Sequence, residues 1–395
     1  MRVLYVNHTS RVSGGELSLL GLLEGLPGGV EAAVACPPGE LAARLGQFGV
    51  ETLPIRGTDG SLRLHPSRTP RALAEMGQAA VGVRRAAARF GADLVHANSI
   101  RAGLISLAPA RPARRPTVVH VRDCLPPGPA SSLALRGISR ADAVVANSAY
   151  TRAQLGPAAA AAHVIYNGIE LSPFTQPALS RAEARERLGL GEAAPVLAVI
   201  AQITPWKAQD DAIRIAAELH RRHPRLRLLL VGSTRFDSAA TRHDNAAYLS
   251  SLQRLVRELG LDGCVEFLGQ REDVAEVLRA VDLLLAPSWE EPFGRSIVEA
   301  MAAAVPVAAT SAGGPAEILS AGGTGLLLPP RQPQLWAERI APLLADRRRL
   351  EEIGWRGRAE VERRFALDRH AAAVLDLYEA VLSGASPRAA AAASG

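Results

Sequence analysis

Lysine is nearly absent from this chain. Of 45 cationic residues only Lys207 is a lysine, and the rest are arginines. A guanidinium is a planar fork and an ammonium a compact, strongly hydrated point charge, so a single retained lysine points to a task at that position. Cysteine is scarce too: Cys36, Cys124 and Cys264 share no metal or redox spacing, which argues against a disulfide framework or a zinc module and fits thiols of a reducing compartment. Aromatics make up 4%, and the net charge of +6 is not gathered into a tail or stripe, so nucleic-acid binding is not indicated. A basic balance of this kind suits anionic ligands such as a nucleotide diphosphate, or peripheral contact with the anionic inner surface of a membrane. No apolar run reaches the length of a membrane span. Met1-Arg2 leads straight into Val3–Val6 and then polar Asn7-His8-Thr9-Ser10, a strand rather than a signal peptide, and a cytoplasmic protein is expected.

What is present is a long alternation. The chain has 395 residues, 48% hydrophobic and 21% charged, enough for two domains. Strands are expected at Val3–Val6, Val30–Ala35, Glu51–Ile55, Leu94–Ala97, Thr117–Val121, Ala143–Ala146 and Val164–Tyr166. Helices are expected near Glu16–Gly25, Pro70–Phe90, Ile100–Leu107 and Ala149–Leu155. Continuous apolar strands alternating with helices predict a parallel sheet covered on both faces. Asn167 to Pro177, with Gly168, Pro173 and Pro177, breaks the pattern and is read as the domain boundary. The alternation then restarts, with strands at Val196–Ala201, Leu226–Val231, Val265–Leu268, Leu283–Ala286, Val305–Ala309 and Gly325–Leu328. Helices follow at Asp210–Arg222, Ala246–Leu259, Asp273–Ala280, Arg295–Ala303 and Gln334–Leu344, and the chain stays helical to about Leu382. Residues 385–395 are Ala/Ser/Gly-rich and are expected to be disordered.

Several stretches could carry chemistry. Ser13-Gly14-Gly15-Glu16 opens the first helix, where glycines let a phosphate approach backbone N–H groups; it equally suits an ordinary strand-to-helix turn. His120 closes a strand beside Arg122 and Asp123, at the edge where open parallel sheets bind ligands; a satisfied core histidine is the competing reading. Lys207 follows another strand in Ala201-Gln202-Ile203-Thr204-Pro205-Trp206-Lys207, a place for a diphosphate. Glu291 and Glu299 stand with seven residues between them, one in a turn and one in the helix beyond it. A carboxylate there accepts from vicinal hydroxyls such as those of a ribose, with phosphate over the backbone N–H groups near Gly294, Ser296 and Ile297. No His/Cys cluster or paired aspartate motif indicates a metal.

Taken as an ordered set, these stretches resemble the retaining, nucleotide-sugar-dependent glycosyltransferases of the GT-B type, family 4. The resemblance is carried by Ser-Gly-Gly-Glu at 13–16, Val-His-Val-Arg-Asp at 119–123, Ala-Asn-Ser at 146–148 and Val-Ile-Tyr-Asn-Gly-Ile-Glu at 164–170. It continues through Thr-Pro-Trp-Lys-Ala-Gln-Asp at 204–210, Glu-Pro-Phe-Gly-Arg-Ser-Ile-Val-Glu-Ala-Met at 291–301, Gly-Gly-Pro-Ala-Glu at 313–317 and Gly-Thr-Gly-Leu-Leu at 323–327. It implies an α/β fold of two Rossmann-like domains facing across a cleft: residues 1–170, joined by a C-terminal helix at about 367–382, and residues 171–366 as the donor domain. By the same resemblance Lys207 neutralises the pyrophosphate with help from Gly14 and Gly15. Glu299 takes the ribose hydroxyls, Glu291 with Phe293 and Gly294 holds the donor sugar, and His120 contacts that sugar. The position five before the lysine, most often arginine in the family, is Gln202 here and offers no cation.

The reaction expected is transfer of a hexose-type sugar from a UDP-sugar to an acceptor hydroxyl with retention, without metal or cofactor, closing about a hinge at Asn167–Pro177. His8, Asn98, Arg101, Arg122 and the loop Gly57–Pro70, with Arg63, His65 and Arg68, are expected to select the acceptor: a glycan, a lipid-linked sugar or a small natural product. The rival readings are a sugar-nucleotide epimerase on the same fold and a cytoplasmic sugar-nucleotide-binding protein without catalysis.

Overall fold

Seven of the strand-forming segments lie in the first part of the chain: β1 (Arg2–Val6), β2 (Glu31–Cys36), β3 (Glu51–Pro54), β4 (Leu94–Ala97), β5 (Thr117–Val121), β6 (Ala143–Ala146) and β7 (Ala162–Val164). The structure, a computed structural model, describes residues 1–58, 69–108, 115–176, 178–191, 194–234, 243–319 and 323–384. Arg63, His65, Arg68, Pro177, Gly322 and residues 385–395 lie outside the described residues.

These strands form one parallel sheet in the order β3-β2-β1-β4-β5-β6-β7. Successive side chains alternate between its faces. Leu4 and Val6 join Val95, Ala97, Val119 and Val121 beneath the helices Thr69–Phe90 and Ile100–Ser106. Val3 and Tyr5 join Leu19, Leu22, Leu41, Leu45, Val374 and Tyr378 beneath helices that include Gly14–Glu24 and Leu367–Leu382. The helix Leu367–Leu382 therefore packs on the first sheet. Leu367 and Ala371 lie against Gly21 and Gly25, where an added Cβ on Gly25 would come within 3.1 Å of Leu367.

A second sheet follows: β8 (Val196–Ile200), β9 (Arg227–Val231), β10 (Val265–Gly269), β11 (Leu283–Ala286), β12 (Val307–Thr310) and β13 (Leu326–Leu328). Its order is β10-β9-β8-β11-β12-β13, again parallel throughout. Leu197, Val199, Leu228, Leu230, Leu283 and Leu285 share a core with Ile213, Ala216, Leu252, Trp336 and Ile340 from the covering helices. Asp282 fixes the entrance to β11. It accepts from Arg185 Nη2 at 2.7 Å, Arg181 Nη2 at 2.5 Å and the Val196 amide at 2.8 Å. The chain divides into two compact units, Met1–Ile169 with the segment from Leu367 onward, and Glu170–Ala366.

Among the described residues, helices at Glu40–Gln47, Pro129–Ile138 and Arg181–Arg187, with the short turns of helix Ser172–Thr175 and Pro315–Ile318, fall where no helix was read from the sequence. The last expected strand of the first half, Val164–Tyr166, lies at Ala162–Val164, paired with Val144–Ala146; Ile165 still donates to Ala146 O, and Tyr166 O is bonded to His370 Nδ1.

Candidate functional site

In the second unit the strand order reverses between β8 and β11. Chain leaving the carboxyl ends of these two neighbours emerges side by side, which is where open parallel sheets build ligand sites. The loop after β8 carries Gln202 and ends in the short turn Pro205–Lys207; the loop after β11 carries Ser288, Trp289 and Glu291. The Trp289 amide donates to the Trp206 carbonyl at 2.9 Å and joins the two loops. Lys207 Nζ donates to Glu291 Oε2 at 2.6 Å and stands 4.0 Å from the centre of the Trp206 ring. Both side chains are largely buried, 16% and 11% exposed, so the pair is poorly screened by water. Ser288, itself buried, donates to the same Oε2 at 3.0 Å.

The main chain of Glu291 is clamped as well. Its amide donates to Ala312 O at 3.1 Å, and its carbonyl accepts from the Gly314 amide at 2.8 Å. Gly313 has φ +110, and a Cβ there would lie 2.1 Å from Glu291 O; one on Gly314 would lie 2.5 Å from Pro292 O. The pair of glycines is required by this close backbone approach. Gly294, at φ +106, then turns the chain into the helix Arg295–Ala302. Phe293 is buried, its ring 5.9 Å from that of Phe365. Ile297 is wholly buried and its amide donates to Gly294 O at 3.0 Å, while Ser296 is half-buried on the first turn. Glu299 is buried one turn further on, 2.7 Å from Arg295 Nε. Burial raises its pKa, and the Arg295 guanidinium opposes that rise. Gln202 is half-buried, and its carbonyl accepts from Gln209 Nε2 at 2.8 Å.

The first unit reverses its strand order between β1 and β4. Asn98, just past β4, has all its hydrogen-bonding capacity committed: Nδ2 to Asn7 Oδ1 at 3.0 Å and Gly15 O at 3.3 Å, Oδ1 from Arg122 Nε at 3.3 Å and Nη2 at 3.1 Å. Arg122 also donates to Asn167 Oδ1 through Nη1 and to His120 Nδ1 at 3.1 Å through Nη2. A guanidinium only donates, so Nδ1 of His120 is the acceptor and its proton sits on Nε2. His120 is wholly buried, its ring 5.4 Å from His96 and 6.0 Å from His370, and Nε2 has no partner among the described residues. Burial, then the Arg122 cation, lowers its pKa well below the usual histidine range and keeps it neutral. Glu16 closes the helix start beside Gly14 and Gly15, accepting from the Ser13 amide at 3.0 Å and from Asn7 Nδ2 at 3.2 Å. His8 Nδ1 is 3.0 Å from Ser99 Oγ, and burial with the Arg101 cation lowers its pKa. Arg101 Nη1 donates to Thr58 O at 2.7 Å.

Sequence reasoning thus finds Lys207 and Glu291, which the structure brings into direct contact, and Gly15, Asn98, His120 and Arg122, which it joins in one network. Glu299 stands in a separate ion pair with Arg295. Trp206, Asn147 and Asn167 lie in stretches that carried the resemblance but were given no role of their own, and the partners Ser288, Asn7, His96 and His370 were not picked out. Asn147 donates to the Arg122 carbonyl at 3.1 Å. Of the residues not picked out, Ser288 left a local signal, at a strand end three residues before Glu291. Among the described residues no group of three or more His, Cys, Asp or Glu is placed to hold a metal ion, and no helix is long and apolar enough to cross a membrane.

Two Rossmann-like units in one chain, each with its polar residues at the carboxyl edge of the sheet, define the GT-B architecture. Residues 12–173 match Glycosyltransferase Family 4, and residues 180–360 match Glycosyl transferases group 1. The chain belongs to this family. It is 30% identical over 247 residues to the lipopolysaccharide core biosynthesis mannosyltransferase LpsB of Rhizobium meliloti, covering 62% of this chain and 67% of that one. It is 37% identical over 253 residues to the D-inositol 3-phosphate glycosyltransferase of Nocardia farcinica, covering 62% of this chain and 54% of that protein. The chain thus spans little more than half the length of that relative, and 61% of the Kineococcus radiotolerans protein of the same name. Among solved structures, HepE of Anabaena in complex with UDP-glucose superposes with a TM-score of 0.82 at 27% identity, over 95% of this chain and all of that one. Sucrose-phosphate synthase of Thermosynechococcus elongatus shares the fold at 20% identity, with a TM-score of 0.76 over 97% of this chain and 100% of that one.

Proposed function

We propose that this protein is a retaining glycosyltransferase that moves a hexose-type sugar from a UDP-sugar to an acceptor hydroxyl, without a metal ion or cofactor. The observation that carries the reading is the Lys207–Glu291 pair, held at the strand-order reversal of the second sheet and followed by buried Glu299. The likeness to a protein crystallised with UDP-glucose supports the choice of donor.

Breaking the bond between the anomeric carbon and UDP leaves charge on a diphosphate oxygen. Lys207 is the ammonium assigned to that charge, with the amides at the start of Arg295–Ala302 adding the positive end of the helix. Glu299 accepts from the ribose hydroxyls. Glu291 accepts from a hydroxyl of the sugar through Oε1, which has no protein partner among the described residues. Its other oxygen already accepts two hydrogen bonds, which suits an orienting group better than a nucleophile. The acceptor oxygen then bonds to the anomeric carbon on the face that UDP leaves, and its proton passes to a diphosphate oxygen. From the first unit, Gly14 and Gly15 are assigned to the phosphates. Neutral His120 is assigned to a sugar oxygen through its Nε2 proton, as a donor rather than a base.

Acceptor choice is assigned to the edge of the first sheet, where His8 and Arg101 stand outside the saturated Asn98–Arg122 network. An anionic polyol or a lipid-linked glycan fits an arginine beside a histidine, in a cytoplasmic protein touching the inner membrane surface. Release of UDP from UDP-glucose and UDP-N-acetylglucosamine, with products read by mass spectrometry against inositol phosphates and lipid-linked acceptors, tests the reading. Saturable sugar-nucleotide binding with no UDP release from any donor would replace the transferase by a binding protein.

A further inference from the structure

Ser288 has no role in any reading of the sequence, yet it is placed where it controls one. It is the second residue beyond β11 and is buried. Pro287 before it has a fixed φ, and Trp289 after it is tied by its amide to Trp206 O. A carboxylate can only accept, so the Ser288 hydroxyl donates its proton to Glu291 Oε2 at 3.0 Å. Lys207 Nζ donates to that same oxygen at 2.6 Å from the neighbouring loop.

The carboxylate of Glu291 is therefore pinned on one oxygen from two directions, while backbone bonds to Ala312 and Gly314 fix its main chain. Oε1 is left as the accepting atom with no protein partner among the described residues. A single long-armed ammonium would hold Oε2 but leave the carboxylate plane to rotate; a short buried hydroxyl from a rigid loop removes that freedom.

We infer that Ser288 is a positioning residue for donor-sugar recognition: by locking Glu291 Oε2 together with Lys207, it aims Oε1 at one sugar hydroxyl and so sets discrimination between epimers. This rests on the assignment of Glu291 to the donor sugar made above. Ser288 is not assigned to the nucleotide, so unchanged UDP affinity is what separates it from a residue that merely holds the fold.

The test compares wild type with Ser288→Ala, Ser288→Cys and Ser288→Thr. UDP affinity is measured by calorimetry, and kcat/KM for UDP-glucose, UDP-galactose and UDP-N-acetylglucosamine by UDP release. Expected is a loss of roughly tenfold in kcat/KM for the preferred donor in Ser288→Ala and Ser288→Cys, the strength of one charge-assisted hydrogen bond. The preference over the epimer should shrink by a similar factor, UDP affinity should stay within about twofold, and Ser288→Thr, which keeps the hydroxyl, should restore both. Unchanged donor preference in the variants, with wild type active, overturns this inference alone. So does equal loss of UDP affinity and activity, which would make Ser288 a structural residue. A wild-type protein that neither binds nor turns over any of these donors overturns the transferase reading and this inference together.

Discussion

A Cβ on Gly313 would stand 2.1 Å from the carbonyl oxygen of Glu291. The backbone that carries the Glu291 carboxylate is thus built against another stretch of backbone, with no flexible side chain between them to yield. Gly313→Ala, which also forces φ +110 on a residue with a side chain, should cost about 2–4 kcal/mol of stability and displace Glu291. Denaturant unfolding and donor turnover measure the two effects. A variant as stable and active as wild type would show that the loop has an alternative path.

Lys207→Ala removes the cation assigned to the diphosphate and strands Glu291 in a buried site. UDP-sugar kcat/KM should fall roughly 100- to 1000-fold, the usual scale for one preorganised charge. Stability should fall too, and Lys207→Ala with Glu291→Gln should recover part of that stability but none of the activity, because it removes the unpaired charge. Near-normal UDP affinity in Lys207→Ala would sink its assigned role.

Glu299→Ala is expected to act on the donor. A lost charged hydrogen bond to the ribose corresponds to a rise of about tenfold or more in donor KM, with acceptor KM nearly unchanged. The reverse pattern would put the ribose elsewhere. Because burial raises the Glu299 pKa while Arg295 holds it down, Arg295→Ala should raise that pKa further and move the acid limb of donor binding to higher pH.

Acid should weaken the first unit before ordinary carboxylate titration begins. His96, His120 and His370 are all buried, and burial is the first cause of a lowered pKa in each, to about 3 for His370. The unfolded chain takes up protons below about pH 6.5 where the folded state does not, so stability is full above that pH and falls as pH drops. From pH 7 to 5 each histidine contributes a loss of about 2 kcal/mol, an upper scale for a site that stays wholly buried. Unfolding midpoints across that range, with His370→Gln expected to flatten the slope by about one proton, check it; a flat wild-type profile would mean that the folded protein protonates them freely.

How much of this was legible depended on distance along the chain. Strands such as Leu94–Ala97 and Leu283–Ala286 coincide with the apolar runs because both faces of a parallel strand are covered. Helix Arg181–Arg187 was missed although Ser180 and Glu183 form a capping box, because it follows a proline-rich break that read as linker. Helix Pro129–Ile138 hid behind Pro-Pro-Gly-Pro, where the last proline is in fact the first helical residue. Within the site, Lys207 and Glu291 were each visible by composition and motif. Their contact was not: 84 residues separate them, and only the placing of β8 beside β11 brings them together. His96 and His370 were not picked out for the same reason, their neighbour His120 being supplied by another element.

The helix Leu367–Leu382 belongs to the first unit although almost the whole second unit precedes it in the chain. A ribosome therefore releases the second unit with all its strands before the first has the last helix of the layer over Val3 and Tyr5. The half of the protein that is made first is the half completed last: His96 gains its Tyr378 partner, and the Tyr166 carbonyl its His370 partner, only when that helix arrives.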